Sequence, residues 1–318
     1  MLVVGCAAVC LGAGGEGRRP ATPAVPRFVT SWGHLGTGKG EFQGPWDVCV
    51  THRNTVLVTD HVNGRVQEFD SLGTFRMAFG SWGTGDGQMV FPEGVAVDRN
   101  DNIYVADSGN NRIQVFDSAG RFLFKWGSHG RGDGQFSIAQ DVAVSPSGTV
   151  YVVDDGNSRV QVFDSLGTFI RKWGRRGPNA GEFESPKSLV IDSNGNVYVS
   201  DNTRIQKFDA LGEYLTAWSL LGGEGPVGMG IGPDNAVFAT DVTYSRIEEY
   251  TSDGVYILQW GGPGTGDGEF IGPNGVAKAR RDGLIYVTDH LNHRVQAFWQ
   301  DPTNVSATSW SRVKTVFR

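Results

Sequence analysis

The stretch "VAVDRNDNIYVADSGNNRIQVFDSAGRFLFKWGS" (95–128) is followed by "VAVSPSGTVYVVDDGNSRVQVFDSLGTFIRKWGR" (142–175), and the two stay in phase throughout. A segment that recurs at a fixed period is a structural unit, and it fixes the architecture before any single residue does. The Asp that closes the "YVAD" run returns as Asp60, Asp107, Asp154, Asp201, Asp241 and Asp289, at intervals of 47, 47, 47, 40 and 48 residues. The bulky aromatic of the "FLFKWG" run returns as Trp32, Phe79, Trp126, Trp173, Trp218 and Trp260. Both series have six members, and the one short interval falls around "LLGGEGP".

Each unit holds four short β-prone runs, here "GVAVD", "NIYVAD", "RIQVFD" and "FLFKWG", separated by Gly, Asn, Asp and Ser. These are the residues of tight turns. The runs mix alternation with continuous apolar stretches, as sheets packed on both faces require. Four antiparallel strands per unit and six units predict an all-β, six-bladed β-propeller. The termini suit a closed ring. "RFVTSWG" (27–33) is a fourth-strand sequence with no blade before it. The last unit supplies "GVAKA", "LIYVTD" and "RVQAFW" and then lacks a fourth strand. The N-terminal strand is expected to complete that last blade, which removes an open sheet edge.

The units resemble NHL repeats over about residues 27–299. The residues that carry the resemblance are the Pro-x-Gly-Val-Ala-Val start (Pro92 to Val97), the "YVAD" strand, the Asn-x-Arg-[Ile/Val]-Gln-x-Phe run and the Gly-rich connector. The resemblance implies a propeller. Functionally it implies a binding module for protein or RNA, an extracellular sensor domain or, less commonly, a lyase. Peptide-amidating lyases of this fold place zinc-binding histidines at the start of inner strands. Here those positions read "PWDV", "PEGV", "AQDV", "PKSL", "PVGM" and "PNGV", without a histidine.

The repeat also decides two local motifs. "GHLGTGKGEF" (33–42) comes close to a phosphate-cradling GxxxxGK[ST] loop, but the Ser/Thr position is Gly40 and no helix pattern follows. It aligns with "GTGDGQM" (83–89), "GRGDGQF" (130–136) and "GTGDGEF" (264–270), so it is a blade connector. The same register makes the Arg-Gly-Asp at 131–133 a connector sequence.

The chain has 318 residues, 46 of them Gly, and a formal net charge of −6. Omitting the first 27 residues, which hold Arg18, Arg19, Arg27 and Glu16, leaves −8. Nucleic-acid backbones are bound mainly through Lys and Arg, so nucleic acid is an unfavoured partner. Residues 1–26 open with the apolar "MLVVGCAAVCLGAG" and are expected to be a secretory signal or a disordered leader. The first reading places the protein outside the cytoplasm, in the periplasm or extracellular space, and the second keeps it cytoplasmic. No apolar run reaches the length of a transmembrane helix. Loss of Cys6 and Cys10 with a signal would leave Cys49 without a disulfide partner. Residues 300–318, with the sequon Asn304-Val305-Ser306, form a tail of unassigned role. The domain is expected to act as a monomer.

Among polar residues the most regular pattern is Asp followed by Arg: Asp60/Arg65, Asp107/Arg112, Asp154/Arg159, Asp201/Arg204, Asp241/Arg246 and Asp289/Arg294. Sixfold repetition favours a structural role, with Asp accepting turn N–H groups and Arg adding a bidentate bond. Histidines His61 and His290 occupy the same repeat position in the first and last units and, with Asp60, Asp289 and His293, are the candidate zinc or calcium ligands. No cofactor is otherwise indicated, and no nucleophile motif appears. Basic residues group as Arg171, Lys172, Arg175 and Arg176, and as Lys278, Arg280 and Arg281, on opposite faces of a propeller.

What breaks the repeat is the better guide to a ligand. Around the connector-side mouth of the channel these residues are Trp46, Asp47, His61, Glu93, Gln140, Asp141, Asp155, Lys187, Asn274 and His290. An exposed Trp46 is the expected anchor, with Glu93, Asp155 and Lys187 tuning specificity. The sequence thus predicts a non-catalytic binding or scaffold propeller for a protein, peptide or glycan. A metal-dependent lyase or hydrolase and an RNA-binding module are the alternatives.

Overall fold

A computed structural model describes residues 24–222 and 225–300. The signal or leader reading, apart from 24–26, and the tail beyond Gln300 lie outside the described residues. Strand β1 (Arg27–Trp32) comes first, and β2 (Pro45–Val50), β3 (Val56–Asp60), β4 (Arg65–Phe69) and β5 (Phe75–Phe79) form the first complete blade. The pattern returns in β6 (Pro92–Val97) to β9 (Phe122–Trp126), β10 (Ala139–Val144) to β13 (Phe169–Trp173), β14 (Pro186–Ile191) to β17 (Tyr214–Trp218), and β18 (Met229–Ile231) to β21 (Tyr256–Gly261). In the last blade, β22 (Pro273–Lys278), β23 (Leu284–Asp289) and β24 (Arg294–Trp299) are completed by β1. Six four-stranded antiparallel sheets result, and the ring closes through β1 as the sequence predicts.

Burial between blades holds the ring. Leu57, Val66, Phe79 and Met89 of the first blade and its connector meet Val95, Ile103, Val105 and Phe116 of the second. Comparable clusters fill the later junctions, ending with Phe238, Trp260, Phe270, Val287 and Phe298 between the last two blades. Where ends meet, Trp32 packs on Tyr286 of its own blade and on Phe69 of the next, with ring centroids 6.0 and 5.7 Å apart. No face of a single blade could be covered without its neighbours.

The repeated polar residues clamp the connectors. In the second blade Asp107 Oδ1 accepts the Val90 N–H at 2.8 Å, and Asn110 donates to both Asp107 and the Gly83 carbonyl. Arg112 donates through Nε to Asp107 Oδ2 at 2.7 Å, and its Nη groups reach the carbonyls of Thr84, Gly85 and Gln88. Gln114 adds the Gln88 carbonyl at 2.6 Å. The arginine therefore does not bind its aspartate in bidentate fashion. A single bond to Asp leaves four N–H groups, and the connector carbonyls need donors more than the aspartate does.

"GHLGTGKGEF" is clamped in the same way. Gly38 N–H donates to Glu41, Gly40 N–H donates to Gln67, and Arg65 holds the carbonyls of Thr37, Gly38 and Glu41. Two of the N–H groups that would cradle phosphate are committed within the fold. Arg131 and Gly132 likewise give their carbonyls to Arg159, and Asp133 pairs with Lys172.

One device is not visible in the sequence. Each first-to-second-strand ladder but that of the shortened fifth blade slips where the inner strand begins: between Pro45 and Val48, Pro92 and Val95, Ala139 and Asp141, Pro186 and Leu189, and Pro273 and Val276. A β-bulge releases residues from the ladder and re-aims their side chains. Six of the residues that break the repeat, Trp46, Asp47, Glu93, Gln140, Lys187 and Asn274, are among those released. Thr59 steadies two of the bulges, accepting the Asp47 N–H at 2.9 Å and donating to the Glu93 carbonyl at 2.8 Å. Thr288 does the same for the Gly275 N–H and the Trp46 carbonyl, both at 2.7 Å.

Candidate functional site

The bulges converge on an open cavity lined from all six blades, with Trp46, Asp47, Gln140, Asp141, Lys187 and Asn274 supplying the long side chains. Six of the residues that break the repeat are therefore neighbours in space. Ser188, Val227 and the glycines at 94, 228 and 275 complete the wall. Gly94 has a steric reason: a Cβ there would lie 2.1 Å from Asp141 Oδ1.

The two aspartates are held by backbone. Asp47 Oδ2 accepts the Val95 N–H at 2.9 Å, whereas Asp141 accepts from Val142 at 2.7 Å and Leu189 at 2.8 Å. Burial lifts the Asp47 carboxyl well above the usual range, and the nearby Asp141 charge lifts it further. Burial likewise pushes Asp141 up to about 6, against the pull of its backbone donors.

Glu93 is not a rim charge. It is 9% exposed, and burial pushes its carboxyl up to about 8, with Lys187 opposing and Asp155 reinforcing the rise. Its Oε2 atom has no hydrogen-bond partner. Lys187 and Asp155 form an ion pair at 2.8 Å, and Asp155 also accepts from Ser185 at 3.2 Å.

Ionisation of Glu93 makes stability pH-dependent with a definite sign. Its folded pKa of about 8 lies above the unfolded value of 4.5, so the folded form holds the proton more tightly and stability falls as pH rises between them. Glu93→Gln cannot ionise and escapes that loss. Thermal melts should show its margin over wild type widening between about pH 5 and about pH 8.5. A margin that does not move with pH would contradict a buried, strained carboxylate.

Trp46 is half-buried, not the exposed anchor expected. Its ring lies between two imidazoles, stacked on His61 at 4.6 Å and edge-on to His290 at 5.2 Å. Burial pushes His61 down to about 4 and also lowers His290, so both rings are neutral near pH 7. His61 Nδ1 faces the Pro92 carbonyl at 3.4 Å, and His290 Nδ1 faces that of Pro45 at 3.3 Å. The indole thus stands between the two candidate metal ligands. Asp60 and Asp289 are engaged by Arg65 and Arg294, each at 2.7 Å. Among the described residues no group of three or more His, Cys, Asp or Glu side chains is arranged around one ion position.

The aromatic contact continues outward, which sequence reading missed. Phe91 stacks on His61 at 4.8 Å, and Trp82 meets Phe91 edge-on at 4.8 Å. Five rings thereby run from His290 through Trp46 at the channel mouth to the rim, where Phe91 is 39% and Trp82 50% exposed. The available signal was register. Phe91 precedes the inner-strand proline, where the first and last blades carry Gly44 and Gly272. Phe91 adopts a positive φ of 51° there, and Ile138 one of 70°.

Basic residues do not gather at the mouth. Lys172 pairs with Asp133, and Arg175 pairs with Glu182 at 2.7 Å. Cys49 is a free thiol that burial pushes up to about 12. No helix among the described residues is long and apolar enough to cross a membrane.

Fold and site together define a six-bladed β-propeller with an acidic, aromatic-walled channel mouth. The NHL repeat model matches residues 42–69, 89–116 and 270–298, and a 6-bladed beta-propeller family model matches residues 142–220. The chain carries NHL repeats within a six-bladed propeller. It is 40% identical over 60 residues to Protein lin-41 of Caenorhabditis elegans, a match that covers 19% of this chain and 5% of that protein. Among solved structures it is similar to a gluconolactonase from Xanthomonas campestris, with 15% identity, a TM-score of 0.61, and 89% of this chain and 99% of that one covered. A streptogramin B lyase superposes with 14% identity and a TM-score of 0.60, covering 84% and 96% of the two chains. A virginiamycin B lyase from Staphylococcus aureus bound to quinupristin gives 16% identity and a TM-score of 0.58, with 83% and 86% covered. At these identities the likeness is one of fold.

Proposed function

We propose that this chain is a non-catalytic binding or scaffold propeller whose connector-side face receives a protein, peptide or glycan at the channel mouth. One observation carries the reading. The repeated Asp, Asn, Arg and Gln residues are consumed in clamping connectors. Five of the residues that differ from blade to blade, Trp46, Asp47, Gln140, Lys187 and Asn274, are released by bulges and line one cavity. Loops and strand ends held by a rigid scaffold are where binding residues collect.

The raised carboxyls of Asp141 and Glu93 favour a second reading, a lyase or hydrolase with a general acid or base in the cavity. Such an enzyme, if metal-dependent through His61 and His290, would have to draw both imidazoles away from Trp46.

Comparing Trp46→Ala with Leu166→Ala, a change at a turn on the opposite face that is 74% exposed, tests the reading on peptide and glycan arrays. Ligands of the wild type should be retained by Leu166→Ala and weakened about thirtyfold by Trp46→Ala, the effect of losing an aromatic anchor worth about 2 kcal/mol. Equal retention by all three proteins would overturn the face assignment. The same arrays read with His61→Ala, together with zinc and calcium analysis, address the enzyme reading: stoichiometric metal lost with that side chain would establish the ion site.

A further inference from the structure

Resting on that reading, we infer that the channel mouth recognises a lysine or arginine side chain of a protein or peptide partner, whose neighbouring apolar residue lies on Phe91 and Trp82. The charge balance points there first. Asp47 and Asp141 line the cavity, Glu93 lies within electrostatic reach of Asp141, Asp155 and Lys187, and Lys187, the cation of the wall, is already paired with Asp155 at 2.8 Å. Second, Glu93 Oε2 is buried, 9% of the residue being exposed, and has no donor. A buried acceptor without a partner is costly, and a positive group held in the neighbouring cavity would offset part of that cost.

Third, Trp46 forms part of the wall and gives it an aromatic surface. The rings on either side of it are neutral imidazoles near pH 7, so they add aromatic surface without repelling a positive ligand. Gln140 and Asn274 supply amide oxygens to a guanidinium or ammonium group. The cavity is open to solvent, so a ligand side chain can reach its polar wall from outside.

The apolar half of the recognition rests on a separate observation. Bulky residues at positive φ are outliers, and such strain collects at functional positions. Phe91 holds that conformation while 39% exposed, at a repeat position that the first and last blades fill with Gly44 and Gly272 and the third blade with Ile138. The ring ladder joins it directly to Trp46.

Binding a cation favours ionised carboxylates, so affinity should rise with pH. Asp141 faces Asp47, and Glu93 faces Lys187, Asp155, Asp141 and Ser108. Their carboxyls lose protons near about 6 and about 8, whereas His61, near about 4, stays neutral through that window. A ligand lysine keeps its charge there.

The experiment measures the full chain against short peptides with Lys or Arg flanked by Leu or Phe, against the same peptides with norleucine or citrulline, and against free butylamine. Basic peptides should bind at least tenfold tighter than the neutral ones and tighter at about pH 8.5 than at about pH 5.5. Asp141→Asn should abolish the preference, and Glu213→Gln, an exposed acid at a turn on the opposite face, should keep it. Phe91→Gly, which installs the residue found in register at positions 44 and 272, should weaken the peptides tenfold and leave butylamine unchanged. Equal binding of basic and neutral peptides overturns the inference. So does Trp46-dependent binding of glycans or neutral peptides alone, although the binding reading then stands. Binding of every ligand class insensitive to Trp46→Ala removes both.

Discussion

A chain that begins at residue 34 should lose its cooperative thermal transition, or melt at least about 10 °C below one that begins at residue 24. The reason lies in where residues 27–33 sit. Strand β1 pairs along β24 from Arg27 opposite Trp299 to Trp32 opposite Val295. Without it β24 becomes an open edge, a liability for aggregation as well as a loss of ladder bonds. Phe28 no longer meets Phe298 at 6.0 Å, and the indole of Trp32 no longer covers Tyr286 and Phe69. Removing one fully buried large aromatic costs about 3–5 kcal/mol, and here two partly buried ones are lost together with the whole β1 ladder. Since whole domains are stable by only about 5–15 kcal/mol, that deletion reaches the scale of the total. The damage should spread across the junction, because Trp32 touches the first blade as well as the last. Calorimetry of the two chains decides the point, and a synthetic peptide of residues 24–33 added to the shorter one should raise its transition. Equal melting temperatures would mean that closure through β1 contributes little, and the ring would have to be held by blade contacts alone.

Phase made the fold legible. Six strand-end aspartates and six aromatics at matching intervals admit few architectures, and the unpaired fourth-strand sequence at 27–33 announced the closure. The candidate site was legible in membership and not in geometry. Trp46, Asp47, Gln140, Asp141, Lys187 and Asn274 stood out because they differ where the repeat should be uniform, and they share one cavity. Their environments followed from features that no pattern of residue types encodes. The bulges draw Glu93 inward to 9% exposure. The pairing of Asp155 with Lys187 joins adjacent blades across 32 positions of sequence. Trp46 is enclosed by His61 and His290, and the latter arrives only when the ring closes. Trp82 and Phe91 were passed over because they lie in a connector, where hydrophobic periodicity carries no information. Register would have exposed Phe91, since it stands where the first and last blades place glycine.

Loss of Arg112 should be the most damaging single substitution at a repeated position. Asp107 is fully buried and Arg112 is 6% exposed. Burial outweighs the Arg112 charge and lifts the Asp107 carboxyl above its ordinary value, so the pair is no simple source of stability. Breaking it is a different matter. Arg112→Ala would strand Asp107 Oδ2 with only amide donors, from Asn110 and Gln114, would deprive the Thr84 carbonyl of the donor it now has, and would leave the Gly85 carbonyl only the Gln88 N–H. Removing one partner of a buried pair costs about 3–5 kcal/mol. Arg112→Lys should recover little, because an ammonium cannot reproduce the planar fork that meets one carboxylate and three carbonyls. Arg204 supplies the comparison: it is more exposed, sits 3.3 Å from Asp201, and reaches two carbonyls through one nitrogen at 3.0 Å. Arg204→Ala should therefore lower the melting temperature clearly less than Arg112→Ala. The loss at Arg112 should also reach the binding face, since the connector it holds carries both Trp82 and Phe91. Amide exchange across residues 83–91 should accelerate in Arg112→Ala at temperatures where the variant is still folded. Unchanged exchange there would confine the arginine to a local role and detach the clamp from the surface it is argued to present.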